Sequence, residues 1–354
     1  MIVMKFGGSA LQTAKRIQDV ASIVQSHMNE RPILVLSAMG STTDDLIAAA
    51  KRSNTLSCVE EFHRDMIARL ALPKALIDPI LCEMYSAGQQ PSTPQSYDYL
   101  LSFGERLSVR IFSAYLHTRG IEAAHFDGWD IGIVSSSEHT CAQIVSETYE
   151  RIPQALQHIG RTVPVITGFI AKSQEGFVTT LGRGGSDLTA SVVAKALMVR
   201  EVQLWKDVSG ILTADPRLVP DARPISHLSF LEASLLARYG AKVLHPDSVL
   251  PAMSAQIPVR VKNYQDPAHP GTVIQSSPSQ RSRSVVAIAH SSQGGGKSCV
   301  ALIGSCDQSE VVEALLLEGI RPFEVCVPKL IVSDGDVKRC VEALHRRFCT
   351  EGVS

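Results

Sequence analysis

The sequence lacks three things that would each have set its class at once: an excess of charge of one sign, a long apolar run, and paired cysteines. Its 354 residues carry 34 Lys and Arg against 35 Asp and Glu, for a formal net charge of -1. That balance draws the whole chain neither to nucleic acid nor to an anionic membrane, so neither is expected as a partner. No apolar run approaches the ~18 residues that a membrane span needs. Met1 to Phe6 leads straight into Gly7-Gly8, without the basic and then apolar segments of a secretory signal. A soluble, cytoplasmic protein is the expectation. The eight cysteines include no Cys-x-x-Cys pair, which disfavours zinc, and a disulfide framework suits a shorter secreted chain. Five of the eight lie beyond residue 298 and read as small buried hydrophobes. Metal and thiol chemistry are set aside.

What is present is a chain with 45% hydrophobic residues, long enough for a large core and for two or more domains. Ile2 to Phe6 reads as a strand that ends at Gly7-Gly8-Ser9. A helix follows over about 14–27, and Pro32 opens a wholly apolar strand, 33–36, that breaks at Ser37 to Thr43. Continuous apolar strands alternating with helices predict a parallel sheet covered on both faces, with ligands at the carboxyl ends of its strands. Both glycine breaks fall there. Residues 55–90 are helical by pattern, and 97–116 predict a helix carrying Gly104 and Glu105. A glycine is tolerated there rather than favoured, and it would let a ligand or another backbone pass close by. Strands are expected at 121–126, 131–134, 163–166 and 177–180, with a helix near 140–159. Further on, 201–205 and 258–263 read as strands and 228–239 as a helix.

The central stretch is Thr179 to Asp187, a strand end, three glycines and the start of a helix. Ser186 or Asp187 would cap that helix, with Leu188, Val192, Ala196 and Val199 along it. A glycine turn at a helix N-terminus suits an anion. Arg183 can grip a carboxylate with two parallel hydrogen bonds, and Asp187 can hold an ammonium or steer an attacking oxygen. Four loops would converge at the strand ends: 5–9, 37–43, 182–187 and 206–217. They offer glycines, lysines, arginines, hydroxyls and an aspartate, without a nucleophile–histidine pair. Phosphoryl transfer needs that inventory, since its catalysis is mostly positioning and charge neutralisation. Two other features are discounted. Gly294 to Ser298 lacks the first glycine of a P-loop, because Ser291 stands there, and reads as a flexible turn. His245, before Pro246, reads as a hydrogen-bonded helix-entry residue.

Six blocks together resemble the aspartate kinases, in the amino acid kinase fold. They are Lys5 to Ser9, Leu36 to Gly40 with Thr43 and Asp44, Ser102 to Ser108, Thr179 to Asp187, Trp205 to Gly210 with Thr213 to Arg217, and Ala241 to Pro246. The resemblance covers about 2–265. It implies a three-layer α/β/α sandwich with a mainly parallel sheet, and ATP-dependent phosphorylation of the β-carboxylate of L-aspartate to 4-phospho-L-aspartate, the entry to lysine, threonine and methionine synthesis. It puts Lys5, Gly7, Gly8 and Ser9 at the ATP phosphates. Thr43, Glu105, Arg183, Gly184, Gly185, Ser186 and Asp187 would surround aspartate, with Glu105 at its α-ammonium. Lys206, Asp207, Leu212, Arg217, Lys242 and Val243 fall where the family binds nucleotide. Lys5, Asp187 and Lys242 would act at the transferring phosphate. Mg²⁺ would travel with the nucleotide, so no protein ligand set is expected.

The chain departs from that pattern in places. Threonine is usual where Lys206 stands and tyrosine where Leu212 stands, and Ala171 occupies a position where glycine is common. The family commonly ends in two ACT domains, whereas the segment here is shorter. Residues 267–284 are rich in Pro, Ser, Gly and Gln and suit a linker. Over 285–354, two helices alternating with short strands predict a ferredoxin-like α+β unit, and the resemblance makes it one shortened ACT-like region. The expected division is therefore a kinase domain over 1–266, a linker over 267–284 and a regulatory or dimerising region over 285–354, with a homodimer formed through that region. Two alternatives stand beside this: a kinase of the same fold acting on another acidic substrate, and a catalytically silent amino-acid sensor.

Overall fold

A computed structural model describes residues 1–51, 56–240, 244–276 and 285–349. They form two compact units, Met1–Asp207 with Asp247–Ala268, and Val208–Pro246 with His269–Ser354. The first unit is an α/β unit of alternating strands and helices, β1 (Ile2–Phe6), α1 (Ala14–Ser26), β2 (Pro32–Leu36), α2 (Thr42–Lys51), α3 (Leu56–Arg69), α4 (Asp78–Gly88), α5 (Pro94–Thr118), β3 (Ala123–Phe126), β4 (Val134–Ser135), α6 (Thr148–Leu156), β5 (Val163–Thr167), β6 (Ile170–Ser173), β7 (Val178–Thr180), α7 (Gly185–Leu197) and β8 (Glu201–Lys206). The second unit contributes β9 (His227–Ser229) and α8 (Phe230–Arg238). The chain then returns to the first for α9 (Leu250–Ser254) and β10 (Val259–Asn263). Last come β11 (Thr272–Gln275), β12 (Val285–Gly294), β13 (Lys297–Gly304), α10 (Gln308–Leu317), β14 (Glu324–Cys326), β15 (Lys329–Ser333) and α11 (Val337–Phe348).

Within the first unit the sheet runs in the order β3-β5-β2-β1-β8-β10, every neighbouring pair parallel. Parallel pairing leaves no bare face, and β1, β2 and β5 are buried at every position. Ile2, Met4 and Phe6 join one core with α1 and α5, while the alternate residues Val3, Val35 and Leu204 are equally buried outside that core. The second face is covered by α7, which lies against β1, β2 and β8. Helices on both faces give the expected three-layer α/β/α architecture. Phe6 and Trp205, opposite each other in register, stack with ring centroids 5.8 Å apart.

Three local expectations need correcting. The helix expected near 140–159 is confined to Thr148–Leu156, because Thr140 takes a left-handed φ of 69° and 140–147 is an irregular segment around it. The strand β6 pairs antiparallel with β7, in a small sheet with β4 that the apolar pattern did not announce. The run 55–90 is interrupted after Arg69, where Ala71 also has a left-handed φ of 55°.

In the second unit β9 and β11 pair in parallel. The strand β11 falls inside the segment expected as a linker, whose residues 277–284 lie outside the described ones. The strands β12-β13-β15-β14 form an antiparallel sheet in that order. Their chain order is ββαββα. A ferredoxin-like βαββαβ unit has the same spatial neighbours once its last strand is moved to the front. Leu302, Leu315, Val332 and Leu344 lie in its core, and Gly294-Gly295-Gly296 turn the β12–β13 hairpin with φ of 78°, 62° and 75°.

Candidate active site at the carboxyl end of the central strands

The site is built where β1, β2, β5 and β8 end. Ser37 N donates to Phe6 O and Gly40 N to Gly8 O, at 3.1 and 3.0 Å, so the loops after β1 and β2 are tied together. Gly8 cannot be replaced without movement there, since an added Cβ would stand 2.8 Å from the carbonyl oxygens of Ala38 and Gly40. The helix α5 comes equally close. A Cβ on Gly104 would meet that of Ala38 at 2.8 Å, which is the physical reason for a glycine inside this helix. The approach brings Glu105 beneath the β2 loop.

The helix α7 starts at Gly185, earlier than expected. Its N-cap is Gly184, left-handed with φ of 73° and without a side-chain cap. Ser186 and Asp187 therefore sit inside the first turn rather than before it. Gly168, at the end of β5, abuts this turn so closely that an added Cβ would lie 2.5 Å from Ser186 Cβ. The first turn of α7 thus lines the cleft, and a helix N-terminus favours an anion.

At the centre is an ion triad. Asp187 Oδ1 lies 2.7 Å from Lys5 Nζ and its Oδ2 lies 3.0 Å from Lys206 Nζ. Burial alone would raise the Asp187 pKa, but the two ammonium groups outweigh it and hold the carboxylate well below its usual range. Lys5, 7% exposed, has its pKa lowered by burial and by Lys206, against the pull of Asp187. Glu105 is different. It is 2% exposed, its Oε1 accepts from Ala38 N at 3.1 Å, and its Oε2 is buried with no hydrogen bond among the described residues. Burial pushes its pKa up to about 8, against the pull of the Ala38 amide and Lys5. A buried carboxyl oxygen left without a partner at the edge of a cleft calls for an explanation in what the cleft binds.

Lys5, Glu105, Asp187, Ser186, Gly184 and Gly185 line one cleft of about 230 Å³, together with Thr43, Ser37, Gly182 and Phe169. Sequence reasoning did not single out Ser37 or Phe169. Phe169, left-handed with φ of 65°, carries no sequence signal for that role. Arg183 is exposed, between Gly182 and Gly184, with no hydrogen bond or ion pair among the described residues. Gly7 is half-buried and Ser9 exposed beyond β1, and Asp207 is exposed after β8. Leu212 and Arg217 belong to the second unit. There Leu212 bridges to Pro224, and the Arg217 guanidinium is held by Asp215, with Nη2 to Oδ2 at 2.6 Å. Lys242 and Val243 lie outside the described residues. Among the described residues no group of three or more His, Cys, Asp or Glu could hold a metal ion, and no helix is long and apolar enough to cross a membrane.

The profile of the amino acid kinase family matches residues 1–263. Aspartokinase 1, chloroplastic, of Arabidopsis thaliana is 42% identical over 292 residues, spanning 77% of this chain and 51% of that protein. The aspartokinase of Thermus thermophilus is 32% identical over 327 residues, 90% of this chain and 70% of its own. The chain thus spans about half the length of the Arabidopsis relatives it matches. Among solved structures, E. coli aspartokinase III in complex with aspartate and ADP superposes with a TM-score of 0.86 at 26% identity, over 98% of this chain and 99% of that one.

The raised pKa of Glu105 carries a pH signature. Between 4.5, its ordinary value, and about 8 the unfolded chain releases this proton while the folded one keeps it. Its contribution to stability is complete below 4.5 and is lost as pH rises to about 8. Glu105→Gln removes the effect, so the variant is expected to gain roughly 2–4 kcal/mol on the parent between pH 5 and pH 9. Urea unfolding of both at pH 5, 7 and 9 measures this, and a pH-independent difference would show that Glu105 ionises normally.

Proposed function

The chain belongs to the amino acid kinase family, and from that premise we propose that it is an aspartate kinase, transferring the γ-phosphoryl group of ATP to the β-carboxylate of L-aspartate. The observation that carries the proposal is the Lys5–Asp187–Lys206 triad at one end of a cleft whose other buried carboxyl is Glu105. The similarity to aspartokinases, one of them solved with aspartate and ADP, supports the same reading.

A carboxylate oxygen of the substrate attacks the γ-phosphorus, and the bond from that phosphorus to the bridging oxygen breaks, its electron pair leaving on ADP. The nucleophile is already ionised at neutral pH, so no general base is needed. Asp187, kept anionic, instead orients two ammonium groups toward the transferring phosphate. Lys5, with the Gly7 and Gly8 backbone and Ser9, neutralises phosphate oxygens, and Lys206 adds a second cation where the family usually has threonine. Glu105 receives the α-ammonium of aspartate. The arrival of that cation stabilises its charged form, so Glu105 releases its proton on binding. Arg183, together with Thr43, Ser186 and Gly184, holds substrate carboxylate, and Gly185, whose amide donates to Gly182 O, lines the same wall. By the family resemblance alone, Asp207, Leu212, Arg217, Lys242 and Val243 would serve the nucleotide.

The donors in the cleft do not make a protein-built metal site, since its lone ionised carboxylate is engaged by both lysines. Mg²⁺ is therefore assigned to the nucleotide phosphates, where it would screen their charge. A cytoplasmic setting accords with ATP as donor. Functionally, we take 1–266 as the kinase domain, 267–284 as the connection and 285–354 as an ACT-like region. Leu316 and Leu317 of α10 and Phe323 are exposed apolar residues on that region, and we assign them to pairing with a second copy.

Trapping of acyl phosphate with hydroxylamine, with aspartate and glutamate in parallel, tests the reaction. Product from aspartate is expected, and its absence with both substrates would point to a silent sensor. Lys5→Ala is expected to collapse kcat, and near-normal turnover would remove Lys5 from the phosphates. Arg183→Lys is expected to raise the aspartate KM about tenfold or more, since a bidentate ionic contact is worth roughly 1.5–3 kcal/mol and a lysine cannot copy its geometry. Light scattering should give twice the chain mass, and a monomer at micromolar concentration would refute the pairing.

A further inference from the structure

The most deeply buried carboxylate of the first unit lies outside the cleft. Asp98, near the start of α5, is 0% exposed and takes four donors. Its Oδ1 accepts from Thr180 Oγ1 at 2.8 Å, and its Oδ2 accepts from Thr180 N at 3.1 Å and Thr140 N at 3.0 Å. His139 Nδ1 stands 2.8 Å from the same Oδ2. The carbonyl of Thr180 is also engaged, by Ala142 N at 2.9 Å. Every polar group of the last β7 residue is therefore committed to its surroundings. Two residues later begins the loop that supplies the cleft.

The loop inherits that fixation. Leu181 N donates to Phe169 O, and Gly182 packs so closely on the 140–141 turn that an added Cβ would stand 3.2 Å from Thr140 O. Thr140 itself holds a left-handed φ of 69°, a conformation an L-residue keeps only when its surroundings demand it. The amide that Asp98 accepts belongs to that residue. Glu105 lies seven residues after Asp98 in α5, close to two turns, so both carboxyls share one helix face about 10 Å apart. One rigid helix thus presents Glu105 to the cleft and grips the strand end from which Gly182 to Asp187 are hung.

Granted that the cleft is a kinase site, we infer that Asp98 is a positioning residue for the reaction: through Thr180 and the 139–140 turn it sets the distance between Glu105 and the Ser186–Asp187 turn. It touches no substrate. Displacing a substrate-binding turn by an ångström is enough to cost a large factor in rate. The charge of Asp98 matters because three of its donors converge on a single oxygen, which a neutral amide cannot serve as well.

Asp98→Asn keeps the shape and removes the charge. In the full chain it is expected to lower kcat/KM for L-aspartate by about tenfold or more, to leave the ATP KM within about twofold, and to speed amide hydrogen exchange over 181–187 by about tenfold. Asp127→Asn is the control, since Asp127 is equally buried and binds Arg106 and Arg110 instead. It should lower the melting temperature without changing kcat/KM or the exchange of 181–187. If Asp98→Asn lowers only the melting temperature, as the control does, the inference falls. Should that variant not fold, Thr180→Val removes one hydroxyl and should show the same changes in smaller measure. Parental kinetics and exchange in it would overturn the inference. If the parent chain itself forms no acyl phosphate, the kinase reading is what fails. The exchange of 181–187 then decides Asp98 alone, and parental protection in both variants would dispose of it.

Discussion

A carboxylate pinned between two ammonium groups is the interaction on which the cleft depends. Asp187 joins Lys5 at the end of β1 to Lys206 at the end of β8, and so fastens α7 across two neighbouring strands. A charge this deeply buried would be expelled or neutralised if it stood alone. Two cations against one anion reverse that, and leave the cluster with one positive charge in excess. Glu105, largely protonated near neutral pH, does not cancel it. The cleft is consequently a cationic hollow walled in part by glycine backbone, a setting that favours an anion.

The rest of the first unit can be understood as what holds these three side chains in place. Glycines at 8, 104 and 168 permit approaches that a methyl group would block. Those approaches bring the β1 loop, the β2 loop, α5 and the first turn of α7 within a few ångströms of each other. Asp98 adds a polar anchor behind them. The parallel sheet sets the directions: since neighbouring strands run the same way, their carboxyl ends form one edge, and residues far apart in sequence meet along it.

Much of this was legible in the sequence, for a physical reason. The strands at 32–36 and 163–167 are nearly continuous apolar runs, and those at 2–6 and 201–206 are apolar-rich with few polar interruptions, each followed by glycine, hydroxyl or charged residues. Lys5 could be proposed because it stands just before the glycines that close β1, and Asp187 because it follows a glycine turn at a helix start, whereas Glu105, inside α5, came from the family resemblance alone. The pairing of Lys206 with Asp187 could not, as nothing over those 19 residues says that a strand end returns to a helix start. The true start of α7 was obscured because Gly184 caps by backbone conformation, which leaves no side-chain signature, while Ser186 and Asp187 are residues that ordinarily cap. The irregular segment at 140–147 depends on a buried acceptor 42 residues away, at Asp98. Local pattern does not report such a partner. In the second unit the helices and strands were readable, but the strand β11 sits among residues whose composition suits a linker.

The position of β1 has a consequence for how the protein comes into being. Its neighbour β8 pairs Glu201 with Ile2, so a ribosome emits the middle strand about 200 residues before one of its two flanks. At ordinary elongation rates of ~5–20 residues per second that is an interval of roughly 10–40 seconds. Through it Lys5 has neither of its eventual companions, and one side of an apolar ribbon stays open to unwanted association. The cationic hollow can exist only after that ribbon has been closed, so β1 is the strand of the nascent sheet that waits longest in need of protection.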